Sequence, residues 1–324
     1  MITTLHVGLG TIGREILKAT VLTGRCHPIG GVDPVFAGQA MTALPDTPRV
    51  EGQVFHDLDE ALSLKPRAAV ISTFSKVEAI ADDLFKLIAA GVNVVSSCEN
   101  LSYPWLKTPE LAAELDEAAK DAGVTIVGTG VNPGFVLDCL PVMLCRPCET
   151  VQHVRASRIV DTARRRKQLQ LKTGGGMTPE EFRAKTKAGM LGHVGLPESV
   201  ALIAKGLRWD VDHEKIEETI EPIINELTVE TEHVRATPEL VKGHYQTVTL
   251  HGERDKSISL ALTMQLGARE EYDDILVEGE PNIHARIVGG VFGDSATAGC
   301  TANIIHQAVM ARPGLLTVLD MPLV

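Results

Sequence analysis

The residues able to do chemistry at the start of this chain are glycines and one acid. Leu5-His6-Val7-Gly8-Leu9-Gly10-Thr11-Ile12-Gly13 carries an apolar strand into a glycine turn. Arg14 to Gly24 reads as the helix that this turn opens, and Pro28 to Val32 is a second apolar run that ends at Asp33. Strand, G-x-G-x-x-G, helix, strand and acid in this order form the dinucleotide-binding fingerprint. Gly8 permits the tight turn, Gly10 lets the backbone approach a pyrophosphate, and Gly13 lets the helix pack on the strand. Thr11 and Ile12 begin the helix, where unpaired N–H groups and the macrodipole favour phosphate. Asp33 stands where an acid accepts hydrogen bonds from the ribose hydroxyls. A 2′-phosphate beside that carboxylate is repelled, and Pro34, Val35, Phe36 and Ala37 supply no cation. The sequence therefore favours NAD, with NADP as the second option. The competing reading of Asp33 is a loop cap.

Other candidates lie at later strand ends. Ser72 and Thr73 follow Ala68-Ala69-Val70-Ile71 and are further cofactor contacts. Glu99 closes the strand Asn93–Ser97, so it should stand at the C-terminal edge of the sheet, where a nicotinamide ring would lie. A carboxylate there could take a proton from a substrate ammonium or from an attacking water; a helix-capping acid is the alternative. Gly128-Thr129-Gly130-Val131-Asn132-Pro133-Gly134-Phe135 follows another strand and could line the nicotinamide pocket, with Asn132 offering an amide, or be a plain turn. Arg158, Asp161 and His193 are polar residues among apolar ones and could bind polar substrate groups or serve structure. Lys172-Thr173-Gly174-Gly175-Gly176 lacks the order of a Walker A loop and reads as a flexible loop. Cys145-Arg-Pro-Cys148 has CxxC spacing but no second pair and no nearby His, which disfavours metal or redox use.

The elements that must position these residues fall into two patterns. Up to about Val136, short apolar runs alternate with helical periodicities at Asp59–Leu64, Val77–Ala90 and Pro109–Ala122. Gly91 and Gly123 stop the last two. That alternation predicts a parallel, doubly wound Rossmann-type sheet with every strand C-terminus at one edge. Beyond it, Thr150–Val160, Glu226–Thr237, Tyr245–Glu253 and Ser257–Ala268 alternate as strands. Pro179–Ala188 and Glu198–Leu207 read as helices, and a basic patch occupies Arg164-Arg165-Arg166-Lys167. The expected organisation is an α/β protein with a dinucleotide-binding domain over 1–136, completed by a C-terminal helix within 296–324. An α+β domain with a largely antiparallel sheet spans 137–295, for substrate and dimerisation.

Bulk properties narrow the class. The chain has 324 residues, 23% of them charged, and a formal net charge of −11, which argues against nucleic acid as a partner. No run of eighteen apolar residues suggests a membrane span. The first strand begins at the N-terminus, and six cysteines make no disulfide framework, so a reduced, cytoplasmic protein is expected.

Taken in order, the fingerprint, Glu99-Asn100-Leu101-Ser102-Tyr103-Pro104, Gly128–Phe135, Arg158-Ile159-Val160-Asp161 with Arg165-Arg166, Lys172-Thr173-Gly174, Gly192-His193-Val194-Gly195, Gly293-Asp294-Ser295-Ala296-Thr297-Ala298 and Pro313-Gly314-Leu315 make the chain recognisable. Along essentially its whole length it resembles the 2,4-diaminopentanoate dehydrogenases and the native amine dehydrogenases related to them. The nucleotide half also looks like that of dihydrodipicolinate reductase. The paired His motif and the Lys-x-Asp-x-Pro-Ser-Gly-Thr loop of that reductase are absent. The resemblance implies NAD(P)-dependent oxidative deamination of an amine, or reductive amination of a carbonyl with ammonia, by a homodimer joined through the second domain. It implies that Glu99 is the catalytic carboxylate, that Asn132, Phe135, Arg158 and His193 line the substrate pocket, and that Asn303 lies near the nicotinamide. Arg158 could pair a substrate carboxylate, which would favour an amino-acid substrate; an Arg158 held by Asp161 would leave room for plain amines. A dehydrogenase acting on hydroxyls and a non-catalytic NAD-sensing protein are the readings outside this class.

Overall fold

The run Ala68-Ala69-Val70-Ile71 is apolar at every position, which suits a strand covered on both faces of a parallel sheet; all four residues are buried. The computed structural model describes residues 1–210 and 212–322. In it β1 (Ile2–Val7), β2 (Cys26–Val32), β3 (Gln53–Phe55), β4 (Ala68–Ile71), β5 (Asn93–Ser96) and β6 (Thr125–Gly128) lie in the order β6-β5-β4-β1-β2-β3. Every pairing among them is parallel. Helices α1 (Thr11–Thr23), α2 (Leu58–Ala61), α3 (Ala81–Ala89) and α4 (Pro109–Ala122) lie between the strands in sequence. The order reverses between β1 and β4, so the fingerprint turn leaves β1 at a topological switch point, where doubly wound sheets bind ligands.

Local chemistry sets the ends of these helices. Gly24 and Gly123 take left-handed backbones that close α1 and α4. The helix expected over Val77–Ala90 is divided: Val77–Ala79 is a 3-10 turn, and α3 starts only after Ile80. Val77, Ile80, Leu84, Leu87 and Ile88 all remain in the core, so the apolar spacing survives a change of helical pitch.

The second part of the chain contains α5 (Cys139–Leu144), β7 (Thr150–Asp161), α6 (Lys167–Lys172), α7 (Pro179–Lys187) and α8 (Leu196–Gly206). There follow β8 (Ile216–Ile224), β9 (Val229–Glu230), β10 (Arg235–Ala236), β11 (Val241–His251), β12 (Ser257–Gln265), β13 (Tyr272–Glu280) and β14 (Ile283–Val288). Six of these strands make a mixed sheet, β14-β13-β7-β12-β11-β8, in which only the β7–β12 pairing is parallel. Residues of β12 alternate between buried and half-buried, the signature of a sheet with one covered and one open face.

The long strand expected at Glu226–Thr237 does not form. That stretch folds as the two-residue hairpin β9–β10, with Leu227 76% exposed. The edge strand lies earlier, at β8. Its Glu217, Glu218, Glu221 and Pro222 hide it from a pattern search, yet charges and proline are what an edge strand carries.

After β14 the chain continues as α9 (Gly293–Met310) and β15 (Gly314–Leu316), which adds a seventh strand beside β6. The helix begins three residues before the expected Ala296. It packs on α1 and β5. Two compact units result, Met1–Phe135 with Phe292–Val324, and Val136–Val291. Of the ranges expected for the domains, Val211, Leu323 and Val324 lie outside the described residues. Among the described residues no helix is long and apolar enough to cross a membrane.

Candidate active site

The fingerprint turn is held by close backbone approaches. Gly8 has a φ of 86°, left-handed, and donates its N–H to the Val32 carbonyl at 2.9 Å. A Cβ on Gly13 would stand 1.9 Å from the Gly8 carbonyl oxygen, so only glycine lets α1 start against β1. The Ser72 hydroxyl donates to the same carbonyl at 2.8 Å, tying the end of β4 to the turn. Gly10 and Thr11 are exposed, and a Cβ on Gly10 would meet nothing within 4 Å. Free space therefore lies over the first turn of α1, where Ile12 is half-buried and Thr73, one residue past Ser72, is exposed. Asp33, 9% exposed, accepts the Leu9 N–H through Oδ2 and the Val35 N–H through Oδ1, both at 2.8 Å. It caps its loop and braces the fingerprint at once, and each oxygen keeps a lone pair for a further donor.

Glu99 starts a 3-10 turn, Glu99–Ser102, directly beyond β5. Because β1, β4, β5 and β6 are parallel neighbours, this turn and the fingerprint turn share one edge of the sheet. Hydrogen bonds run along that edge. Ser72 reaches Gly8, the Asn100 N–H donates to the Ser75 carbonyl at 3.1 Å, and the Thr129 N–H donates to the Ser96 carbonyl at 2.8 Å. The buried Ser96 hydroxyl donates to the Ile71 carbonyl at 3.0 Å and accepts the Cys98 N–H at 3.1 Å, fixing the backbone that presents Glu99. A Cβ on Gly128 would lie 2.4 Å from the Leu101 carbonyl carbon, so this glycine lets the Glu99 turn rest on the end of β6. Glu99 is half-buried, Asn132 is 8% exposed, and Phe135 is half-buried. The Asn132–Pro133 peptide is cis. The Val131 N–H donates to the Thr297 hydroxyl of α9 at 3.3 Å. Asn303 of α9 is exposed, as are Ser295 and His306, while Ala298, Thr301, Ala302 and Ile305 are buried.

In the second unit two buried charges pair with each other. Arg158 donates through Nη1 to Asp273 Oδ1 at 2.9 Å and through Nη2 to the Val291 carbonyl. Asp273 also accepts the Val291 N–H at 2.7 Å. Burial is the largest influence on each charge, raising the Asp273 carboxyl and lowering the Arg158 guanidinium, against their mutual attraction. The partner is thus Asp273 and not Asp161, whose Oδ1 accepts the Ala163 and Gly267 N–H groups at 2.9 Å. His193 is held through its backbone: its N–H donates to Gln246 Oε1 at 2.8 Å, and Gln246 Nε2 donates to its carbonyl at 2.9 Å. Gln246 Nε2 is anchored in turn on Glu218 at 2.7 Å. The glycines after Lys172 lie against neighbouring elements. The Gly176 N–H donates to the Val241 carbonyl at 2.8 Å, and a Cβ on Gly174 would meet the Phe182 ring at 2.4 Å. Cys145 is buried, which pushes its thiol up to about 12, the reverse of an activated thiolate.

Sequence reading missed Arg14, Asp273 and Gln246. Arg14 had a visible signal, since it directly follows the third fingerprint glycine. The other two had none in local pattern. Register reveals them: Gln246, Leu262, Arg158 and Asp273 stand in one row across β11, β12, β7 and β13.

Comparison with known proteins fits this architecture. The family model described as the 2,4-diaminopentanoate dehydrogenase C-terminal domain matches residues 135–324. The 2,4-diaminopentanoate dehydrogenase of Acetoanaerobium sticklandii is 29% identical over 325 residues, covering 98% of this chain and 92% of the relative. An amine dehydrogenase of Streptomyces virginiae is 24% identical over 356 residues, covering 100% of this chain and 97% of its own. Among solved structures, the amine dehydrogenase from Mycobacterium smegmatis superposes with a TM-score of 0.86 at 22% identity, covering 99% of this chain and 96% of that one.

Proposed function

The chain belongs to the 2,4-diaminopentanoate dehydrogenase family, and from that membership we propose that it is a nicotinamide-dependent amine dehydrogenase interconverting an amine with a carbonyl and ammonia. The observation that carries this reading is a carboxylate, Glu99, on the turn beyond β5, at the sheet edge that also bears the fingerprint turn. The residues present suit a dinucleotide: the open surface over Gly10 and Thr11 accommodates phosphates at a helix N-terminus, and Asp33 has lone pairs for ribose hydroxyls. When bound, that cofactor supplies the hydride acceptor for the amine carbon. Glu99 takes the ammonium proton, which frees the nitrogen lone pair, releases that proton to solvent, and as a carboxylate again serves as base for the water that adds to the carbon. Asn132 and the backbone of Gly128–Phe135 orient the reacting groups. Asp33 makes NAD the preferred cofactor.

Arg158 bears on the substrate. It is 5% exposed and already gives a hydrogen bond from each terminal nitrogen, to Asp273 and to Val291, which disfavours a grip on a substrate carboxylate. A plain amine is therefore the favoured substrate. The relative named 2,4-diaminopentanoate dehydrogenase supports the amino-acid alternative. The open face of the six-stranded sheet supports a homodimer, and the cysteine usage suits a reducing, cytoplasmic setting. The experiment is an NADH-consumption screen over ketones and aldehydes with and without ammonium, with 2,4-diaminopentanoate and simple alkyl amines tested in the reverse direction. Ammonium-dependent consumption is expected. Equal carbonyl reduction without ammonium would make the protein a hydroxyl-directed dehydrogenase.

A further inference from the structure

The residue of the fingerprint turn that Asp33 holds is also reached by a cation from another element. Arg14, in the first turn of α1, donates through Nη1 to the Leu9 carbonyl at 2.9 Å, while Asp33 accepts the Leu9 N–H at 2.8 Å. One residue of the fingerprint turn is thus gripped on its two backbone groups by opposite charges. The Arg14 guanidinium lies 5.7 Å from the centroid of the Phe36 ring, three residues beyond Asp33. That contact holds the guanidinium beside the loop that follows the acid. Its Nε is buried with no hydrogen-bond partner among the described residues. Pro34 to Ala37 carry no charge, so a charge opposing that of Asp33 is brought here by the fold rather than by the local sequence.

We propose that Arg14 is the specificity-determining residue for the 2′ position of the cofactor, taking the 2′-phosphate of NADP so that one site accepts both nicotinamide dinucleotides. The proposal rests on the dinucleotide reading of the fingerprint and not on the amine chemistry. Asp33 alone would bind ribose hydroxyls and repel a phosphate. A guanidinium held on the same turn and over Phe36 offsets that repulsion and offers planar N–H donors suited to phosphate oxygens. NAD is bound through Asp33, and NADP through Arg14 against Asp33.

The test measures binding without any amine, by fluorescence titration of the full-length protein with NADH and with NADPH. The wild type binds both, NADH more tightly. Arg14→Gln moves the ratio of the two Kd values against NADPH by about tenfold to a hundredfold, whatever happens to either alone. Arg14→Lys, which keeps the charge but loses the planar donors, leaves the ratio between those of the wild type and Arg14→Gln. Asp33→Asn moves the ratio toward NADPH, and adding Arg14→Gln removes that gain. Added salt weakens NADPH more than NADH in the wild type, and the difference shrinks in Arg14→Gln. If Arg14→Gln weakens both cofactors in the same proportion, Arg14 only supports Leu9 and the proposal fails. It fails equally if the wild type does not bind NADPH, or if Asp33→Asn gains as much NADPH affinity without Arg14 as with it.

Discussion

The two units place polar groups out of solvent in different ways. Around the fingerprint turn the partners are backbone: Ser72 reaches the Gly8 carbonyl, Asp33 the Leu9 and Val35 N–H groups, and Ser96 the Ile71 carbonyl and Cys98 N–H. In the second unit side-chain pairs are added to such backbone bonds, with Arg158 on Asp273, Gln246 on Glu218, and the Ser199 hydroxyl on Asp138 at 2.6 Å. A site made of backbone amides and glycine clearances can bind any ligand of the same chemistry and tolerates little change at its glycines. One made of side-chain pairs is retuned by exchanging two residues. The difference suits a shared cofactor in one unit and a varied substrate in the other.

Breaking a side-chain pair should have the largest effect on stability. Asp273→Ala leaves the Arg158 charge buried without its carboxylate, a loss of about 3–5 kcal/mol. Chemical denaturation should register it, while NADH affinity under native conditions stays near the wild-type value. A fall in NADH affinity matching the lost stability would mean that the two units are not built independently. Gly13→Ala comes next. The added Cβ meets the Gly8 carbonyl oxygen at 1.9 Å, and overpacking of this kind costs about 3 kcal/mol together with the shape of the turn. NADH binding should be lost in step with stability. Gly10→Ala sharpens the contrast, because its Cβ meets no protein atom and its φ of −61° suits alanine. It should fold as the wild type does and lose only cofactor affinity. Equal destabilisation by both substitutions would refute the assignment of clearance at Gly13 and open space at Gly10.

The last effect is spread over pH. Burial pushes His244 of β11 from 6.5 down to about 4, against a smaller upward pull from the Thr173 backbone, so it is neutral when folded and protonates more readily when unfolded. Stability is therefore full above pH 6.5 and falls progressively toward pH 4, by about 3 kcal/mol for this residue. Its counterpart in the nucleotide unit is His6, wholly buried in β1 and lowered to about 3, which extends the same loss to lower pH. His244→Leu should flatten the upper part of the stability curve measured by denaturation at stepped pH. An unchanged slope would show that this imidazole is not held neutral.

The same contrast explains what could be read from sequence. The fingerprint, Asp33, the strand before Glu99 and the helix Pro109–Ala122 were legible because each depends on residues near one another in the chain. The hairpin at Val229–Ala236 and the edge strand Ile216–Ile224 were not, since the edge strand buries too little to alternate. Arg158 was recognisable as a polar residue out of place, but its partner lies 115 residues away and only strand register brings them together. Arg14 follows the third fingerprint glycine in the chain, but its contact with Phe36 exists only once α1 and the loop after Asp33 are side by side.

The central claim is that Glu99 handles the proton of the substrate nitrogen. The direct measurement is the turnover of Glu99→Gln with NADH, ammonium and a carbonyl substrate, together with its NADH affinity. NADH binding should stay near normal while the rate falls about a hundred- to ten-thousand-fold, the usual loss on removing a general base. Wild-type rates of ammonium-dependent turnover in that variant would contradict it.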